Sequence, residues 1–322
     1  MDKVKQKKNM LQQTTYKEKD QKIKWSVMII SSILMASFHA IFINLAKVNG
    51  EITFSSASVA LLIELLKLCI SVLMLLKDAF LNKHSISINR KVMLLYIIPA
   101  FLYTANNNLV THVQRFMDPG SFQILSNMKI ATSVIFYRLI INRYVSRNKW
   151  LAVFFLFVAS VLNSLGGLNI KNDLSLKTVY VTKTGICLIC LYSCISGFTG
   201  VFTEAVLKTY IETSINAQNS ILYLYGILLN ILLYTSSSQS FQDFFRGFSL
   251  WTWLIVLTQA VNGIIISYVL KHSSTIVRMF IISFATVLTP LFSHFIFDLT
   301  LNSYFISSIV VVIFALYLHF NF

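Results

Sequence analysis

Charge is scarce in this 322-residue chain: Asp, Glu, Lys and Arg together make up 12% of it, against 56% hydrophobic residues. Soluble domains carry about 25% charged residues, so a water-soluble globular fold is excluded. Proline occurs three times and glycine ten times, too rarely for a collagen-like, loop-rich or disordered chain. Four cysteines, Cys69, Cys187, Cys190 and Cys194, do not make a disulfide scaffold. The last three fall at i, i+3 and i+7, one stripe of a helix, and read as small residues on an apolar face before a zinc or redox site. The six histidines (His39, His84, His112, His272, His294, His319) are scattered without ligand spacing, and no Asp/Glu cluster offers to hold a metal. The dispersed Asp118, Asp173, Asp243 and Asp298 form no acid–base pair. Neither an enzyme nor a cofactor is expected.

What the chain does have is ten apolar stretches, at approximately 26–47, 54–76, 92–113, 119–142, 150–168, 184–207, 217–235, 251–270, 278–297 and 301–321. Each is close to the ~20 helical residues that span a hydrocarbon core about 30 Å thick. The expected fold is an all-α polytopic membrane protein with ten transmembrane helices. The first 25 residues are polar and the apolar stretch after them is too long for a cleavable signal, so insertion is expected to begin with the first helix.

Ten crossings put both termini on one side, and basic residues choose that side. Lys3, Lys5, Lys7, Lys8, Lys17, Lys19, Lys22 and Lys24 precede the first helix, and Lys77, Lys83, Arg90, Lys91, Arg143, Arg147, Lys149, Lys208, Lys271 and Arg278 lie in or beside loops on the same face. The other face has Lys47, Arg115, Lys171, Lys177, Lys183 and Arg246. Both termini are therefore expected to be cytosolic. The net charge of +15 follows from topology and contact with anionic lipid, not from a nucleic-acid partner.

The longest loops, 169–183 and 236–250, leave no room for an inserted soluble domain. Ten helices divide into two sets of five, and five is odd, so a second set of the same fold must run inverted. The expected division is a basic cytosolic tail at 1–25, a first repeat at 26–168, a lumenal linker at 169–183 and a second repeat at 184–322. A faint echo joins Ile130-Ala131-Thr132 in the fourth stretch to Phe284-Ala285-Thr286 in the ninth, each downstream of a cation, Lys129 or Arg278.

Ionisable groups inside hydrocarbon are costly and usually face a partner or a wet cavity. Glu64 and Lys67, three apart, share one face of the second helix and form either a structural ion pair or a gating element. Lys129, expected near the middle of the fourth helix with Gln123 and Asn127 nearby, is a candidate for an anionic ligand, or else pairs with Glu64 or Glu204. Glu204 and Lys208, four apart, read as a salt bridge after Gly197-Phe198-Thr199-Gly200, whose small residues admit another helix. Asn106-Asn107-Asn108 with Tyr103, and Gln218-Asn219 with Tyr223, are polar patches that must face inward. Asn262-Gly263 and the run Lys271 to Arg278 complete the set. A helix starting near Ser274 would offer its N-terminal amides and Arg278 to an anion, or the run is simply a positive loop.

These residues resemble the nucleotide-sugar transporters of solute carrier family 35, subfamily A, within the drug/metabolite transporter superfamily. The resemblance covers nearly all of 26–320. Its most specific stretches are Tyr103 to Leu109, Asp118-Pro119-Gly120-Ser121-Phe122-Gln123-Ile124-Leu125-Ser126-Asn127-Met128-Lys129-Ile130, and Gly200 to Lys208. Arg115 to Pro119, Leu125 to Ile130 and Lys271-His272-Ser273-Ser274 are nearest its fourth, UDP-sugar branch.

The resemblance implies ten helices in two inverted five-helix repeats. It also implies a Golgi or endoplasmic reticulum membrane and exchange of a cytosolic pyrimidine nucleotide sugar (a UDP-sugar, or a CMP- or CDP-linked sugar or alditol) for a lumenal nucleoside monophosphate. Tyr103, Asn107, Asn108 and Gln123 would line the cavity, Lys129 would meet phosphate, and Asn219 and Tyr223 would meet the nucleoside. Gly263 would give close approach, and Lys271 and Arg278 would add positive potential. Partners would be these nucleotides and membrane lipid, with self-association or association with Golgi glycosyltransferases or other transporters as options. The chain departs from many relatives at Phe122, where they have Tyr, and at Ser274-Thr275, where they have Asp-Asn. Alternatives are a proton-coupled metabolite or drug exporter using Glu64, and a transport-inactive membrane scaffold.

Overall fold

Without water to satisfy backbone amides, a lipid-embedded chain closes its hydrogen bonds within helices, and the long apolar runs do so here. The computed structural model describes residues 2–48, 51–82, 90–113, 115–117, 119–170, 181–236, 243–298 and 300–320, with the side chains of 2–21, 81–82, 111, 119–120, 168–170 and 320 left aside. Its helices are α1 (Asp2–Leu45), α2 (Ser56–Asn82), α3 (Arg90–Val113), α4 (Pro119–Leu125), α5 (Met128–Phe136), α6 (Arg147–Ile170), α7 (Lys183–Thr209), α8 (Ile215–Ser236), α9 (Leu250–His272), α10 (Thr275–Phe297) and α11 (Ser303–Phe320). Two-residue strands β1 (Lys47–Val48) and β2 (Glu51–Ile52) form an antiparallel hairpin between α1 and α2.

The protein is an all-α polytopic membrane protein. Among the described residues, eight segments are long and apolar enough to cross a bilayer. α3, which carries Asn106, Asn107 and Asn108, and α11, whose apolar part is the shorter Ser303–His319, are not among the eight. Side chains are distributed as lipid demands. Leu73, Phe80, Leu139 and Phe295 are well over half exposed, whereas Ser32, Ser37, Gln218 and Glu204 are fully buried.

The fourth apolar stretch is not the single helix expected over 119–142. It is α4 and α5 separated by a turn at Ser126-Asn127, and it ends in a π-helical segment, Tyr137–Ile141. The cause is local: Ser and Asn side chains compete for backbone groups. Ser126 Oγ and Asn127 Nδ2 both donate to the Gln123 carbonyl at 3.0 Å, and Asn127 also reaches Ser164 on α6 at 3.3 Å. Lys129 consequently sits at the start of a helix instead of its middle.

The packing pairs are α6 with α11, α2 with α8, α1 with α9 and α10, α7 with α3 and α5, α3 with α8, and α2 with α9. Gly197 permits a close approach of α7 to α5. A Cβ there would stand 2.6 Å from Thr132 Oγ1 and 2.8 Å from the Ser133 backbone nitrogen on α5. Thr132 Oγ1 donates across the same contact to the Ser193 carbonyl of α7 at 2.7 Å. Because backbone cannot yield as a side chain can, Gly197→Val is expected to destabilise the protein by about 1–3 kcal/mol, measured as a lower Tm in detergent.

Candidate functional site

α1, α2, α3, α5, α7, α8, α9 and α10 surround a cavity of about 600 Å³, within the range of small-molecule sites. Nine of the residues singled out from the sequence line it: Glu64, Lys67, Tyr103, Asn107, Lys129, Tyr223, Asn262, Gly263 and Arg278. Hydrophobic periodicity alone would not select them. They come from six helices and meet only in three dimensions.

Glu64 and Lys67 form the ion pair that their spacing suggested, at 2.5 Å, and the Lys67 ammonium lies 4.5 Å from the centre of the Tyr223 ring. Two glycines make room for this pair. A Cβ on Gly226 of α8 would come within 3.1 Å of the Glu64 carboxylate, and one on Gly263 of α9 within 3.0 Å of Lys67 Cδ. Gly263 thus serves the approach of α2.

Lys129 and Arg278 stand differently. Arg278 is in the first turn of α10, with its guanidinium against Gly200, where a Cβ would come within 2.7 Å of it. Neither cation has a carboxylate within ion-pair distance among the described residues. Lys129 pairs with neither Glu64 nor Glu204, because Glu64 holds Lys67 and Glu204 is held elsewhere.

Glu204 is fully buried on α7. It binds Lys208 at 2.5 Å and accepts from both the backbone nitrogen and the hydroxyl of Thr275 at 2.6 Å each. Lys208 also donates to the Ser273 carbonyl. The Glu204–Lys208 salt bridge is therefore also a clamp between α7 and the start of α10. The N-terminus of α10 is not open to a ligand as the sequence suggested. Glu204 supplies the anion there, and Ser274 is the N-cap, accepting from Val277 N at 3.3 Å. Serine and aspartate are equivalent caps, so the departure at Ser274 keeps the helix start intact, and Thr275 provides the hydroxyl that holds Glu204.

Four expected residues lie outside the lining. The Lys271 ammonium donates to the Thr213 carbonyl at 2.8 Å, which ties α9 to the α7–α8 turn. Asn108 donates to the Thr104 carbonyl one turn back at 2.8 Å. Gln123 is exposed on α4. Asn219 is buried in α8, one turn from Tyr223. Phe122 packs on Tyr192 of α7, ring centres 5.8 Å apart, so the missing tyrosine hydroxyl is not lost from the cavity wall. Asp118 lies outside the described residues, and the side chains of Pro119 and Gly120 are likewise not described.

The cavity also contains residues that charge-led reading passed over: His39, Thr104, Thr203, Asn230, Gln259 and Ser267. Single neutral polar residues in apolar helices carry little signal, although His39, Gln259 and Asn262 fall on the facing stripes of α1 and α9. Among the described residues, no cluster of His, Cys, Asp or Glu could hold a metal ion.

Comparison with known proteins supplies the remaining findings. A family model described as "Nucleotide-sugar transporter" matches residues 19–320. A protein of Xenopus tropicalis with the printed name "Probable UDP-sugar transporter protein SLC35A4" is 43% identical over 301 residues, 93% of this chain and 92% of its own. Proteins of the same name from Danio rerio and Homo sapiens are 34% and 32% identical; they cover 93% and 92% of this chain, and 95% and 94% of their own. A solved crystal structure superposes with a TM-score of 0.68 at 9% identity, over 92% of this chain and 96% of that one, a likeness of fold alone.

Proposed function

The chain belongs to the nucleotide-sugar transporter family, and on that premise we propose that it is an alternating-access antiporter. It exchanges a cytosolic pyrimidine nucleotide sugar for lumenal nucleoside monophosphate across the Golgi or endoplasmic reticulum membrane. The observation that carries this reading is the cavity's pair of cations, Lys129 and Arg278, without a carboxylate partner among the described residues. Phosphate would neutralise them with charge-assisted hydrogen bonds. Tyr103, Asn107 and Tyr223 supply rings and an amide suited to a nucleoside, and the relatives' printed names point to a UDP-sugar.

Exchange, as opposed to one-way transport, follows from the same cations. An empty cavity with two uncompensated charges is costly to enclose in low dielectric, so the unloaded carrier is reluctant to change sides. Either a pyrophosphate or a monophosphate removes that cost.

The reading includes ten membrane helices in two inverted repeats, α1 to α6 and α7 to α11, with both termini cytosolic. The two halves correspond as α1 to α7, α2 to α8, α3 to α9, α4–α5 to α10 and α6 to α11. Under that correspondence the packing comes in mates: α1–α9 with α7–α3, α1–α10 with α7–α5, and α2–α9 with α8–α3. The segment Tyr137–Ile141 and α10 both end on a left-handed residue, Asn142 (φ 52°) and Asp298 (φ 50°). Lys129 and Arg278 begin corresponding helices, which gives the faint sequence echo a structural setting.

The test is the melting temperature of the purified protein against UMP, CMP, GMP, AMP and their sugar conjugates, followed by exchange in proteoliposomes. Selective stabilisation by UMP or CMP is expected, about 2.7 kcal/mol at a hundredfold excess over Kd, with uptake dependent on nucleotide inside the vesicle. No shift with any nucleotide, or uptake driven by a pH gradient alone, would overturn the proposal.

A further inference from the structure

We infer that the turn joining the π-helical segment Tyr137–Ile141 to α6 is a binding site for an anionic phospholipid headgroup, and that it prefers a phosphomonoester to a singly charged headgroup. Its cations are Arg138, Arg143, Arg147 and Lys149. The site lies outside the cavity and is independent of the solute that the cavity carries; its place on the cytosolic leaflet rests on the orientation proposed above.

The sequence supplies a region of one sign. From Pro119 to Asn172 the chain has no Asp or Glu, and none of the four cations forms an ion pair with a described carboxylate. An excess of basic residues that served only to orient the chain would not need this. Cations at neighbouring helix ends are occupied by protein: Lys208 holds Glu204, and Lys271 donates to the Thr213 carbonyl. The turn instead presents its charge outward, with Arg138, Arg143 and Arg147 exposed and Lys149 half-buried.

The turn is fixed by its own packing. Val145 is buried in the core cluster that includes Ile130, Tyr137 and Leu156. Asn142, in the left-handed conformation, ends the π-helical segment, and Ser146 Oγ accepts from the Lys149 backbone nitrogen at 3.4 Å to cap α6. The Arg138 guanidinium lies 5.8 Å from the centre of the Tyr144 ring, which brings it to the residue beside Arg143. Arg147 and Lys149 are in the first turn of α6, whose dipole adds positive potential. Cations already held in place give up little freedom on binding.

Depth identifies the occupant. Leu139, Leu151 and Phe154 on either side of the turn are exposed apolar residues suited to acyl chains, and Tyr144 is 75% exposed, with Trp150 also exposed. Tyrosine and tryptophan mark the membrane–water interface. The cations therefore stand at the level of the lipid phosphates, where juxtamembrane basic residues attract anionic lipid. The planar fork of arginine matches phosphate oxygens bidentately. A monoester phosphate, with a charge of about −2 near neutral pH, can engage more than one fork.

Full-length protein in non-ionic detergent would be titrated with phosphatidylcholine, phosphatidylserine and a phosphatidylinositol monophosphate, and bound lipid counted by native mass spectrometry. The phosphatidylinositol monophosphate is expected to bind about tenfold more tightly than phosphatidylserine, and phosphatidylcholine more weakly than either. Arg138→Gln, Arg143→Gln and Arg147→Gln should each weaken it about fivefold, and the triple variant about a hundredfold. Lys77→Gln, which removes an exposed cation from the end of α2, should change the affinity by less than about twofold. The lipid-free Tm of each variant reports that it is folded. Undiminished binding by the triple variant, no preference for the phosphatidylinositol monophosphate over either other lipid, or a loss in Lys77→Gln as large as in Arg143→Gln would overturn the inference. So would displacement of the lipid by an equal concentration of soluble inositol bisphosphate, which would make this a site for free phosphate. No readout here uses a nucleotide, so failure of the transport reading would leave the inference standing.

Discussion

Alanine at Lys129 is expected to remove nucleotide-dependent stabilisation and to reduce exchange in proteoliposomes at least ~30-fold, while the protein still folds. Lys129 lines the cavity and has no carboxylate partner among the described residues. Its loss therefore strands no buried anion of the protein, only the phosphate of the ligand. Truncating one member of a desolvated charge pair costs about 2–5 kcal/mol in binding, and each ~1.4 kcal/mol is tenfold. Arg278→Ala should behave alike, and the double variant should lose less than the sum, because both cations serve one anion.

Lys271→Ala is the informative contrast. Its ammonium is held by the Thr213 carbonyl and does not line the cavity. It should lower Tm and leave the affinity ratio among nucleotides unchanged. Loss of nucleotide discrimination in Lys271→Ala, with Lys129→Ala unaffected, would show that the cations had been assigned the wrong way round.

Glu204→Ala should be the most damaging single change to stability, about 3–5 kcal/mol. One carboxylate satisfies the Lys208 ammonium, the first backbone amide of α10 and the Thr275 hydroxyl. Removing it strands the buried Thr275 amide, leaves Lys208 with only the Ser273 carbonyl and the Thr275 hydroxyl with only a 3.4 Å contact to the Gly200 carbonyl, and frees the start of the helix that carries Arg278. Glu204→Gln keeps an acceptor but loses the charge, and should cost less, about 1–3 kcal/mol. The ordering Glu204→Ala worse than Glu204→Gln, with Thr275→Val milder than either, is the expected result of a melting series in detergent. Equal Tm for all three would show that α10 is positioned without the clamp.

The two predictions separate what binding needs from what folding needs, and the sequence alone did not separate them. Lys67, Lys129, Lys208 and Lys271 are all lysines in or at the ends of apolar stretches. Three are occupied by protein, with Glu64, Glu204 and the Thr213 carbonyl as partners, and Lys129 faces the cavity. Glu64–Lys67 and Glu204–Lys208 were legible because i,i+3 and i,i+4 spacing is a property of one helix. Asn107 against Asn108, and Tyr223 against Asn219, were not distinguishable by spacing, since both members of each pair sit in the same polar patch.

The sequence by itself determined the class of protein, the approximate membrane segments and the family resemblance, because hydrophobic run length and local residue order act within single helices. Tertiary structure alone decided that Glu204 fills the anion site at the start of α10, and that His39, Gln259 and Asn262 join the cavity. These outcomes depend on which helix lies opposite which. A buried polar group is paired, or left open to a ligand, by neighbours far away in sequence.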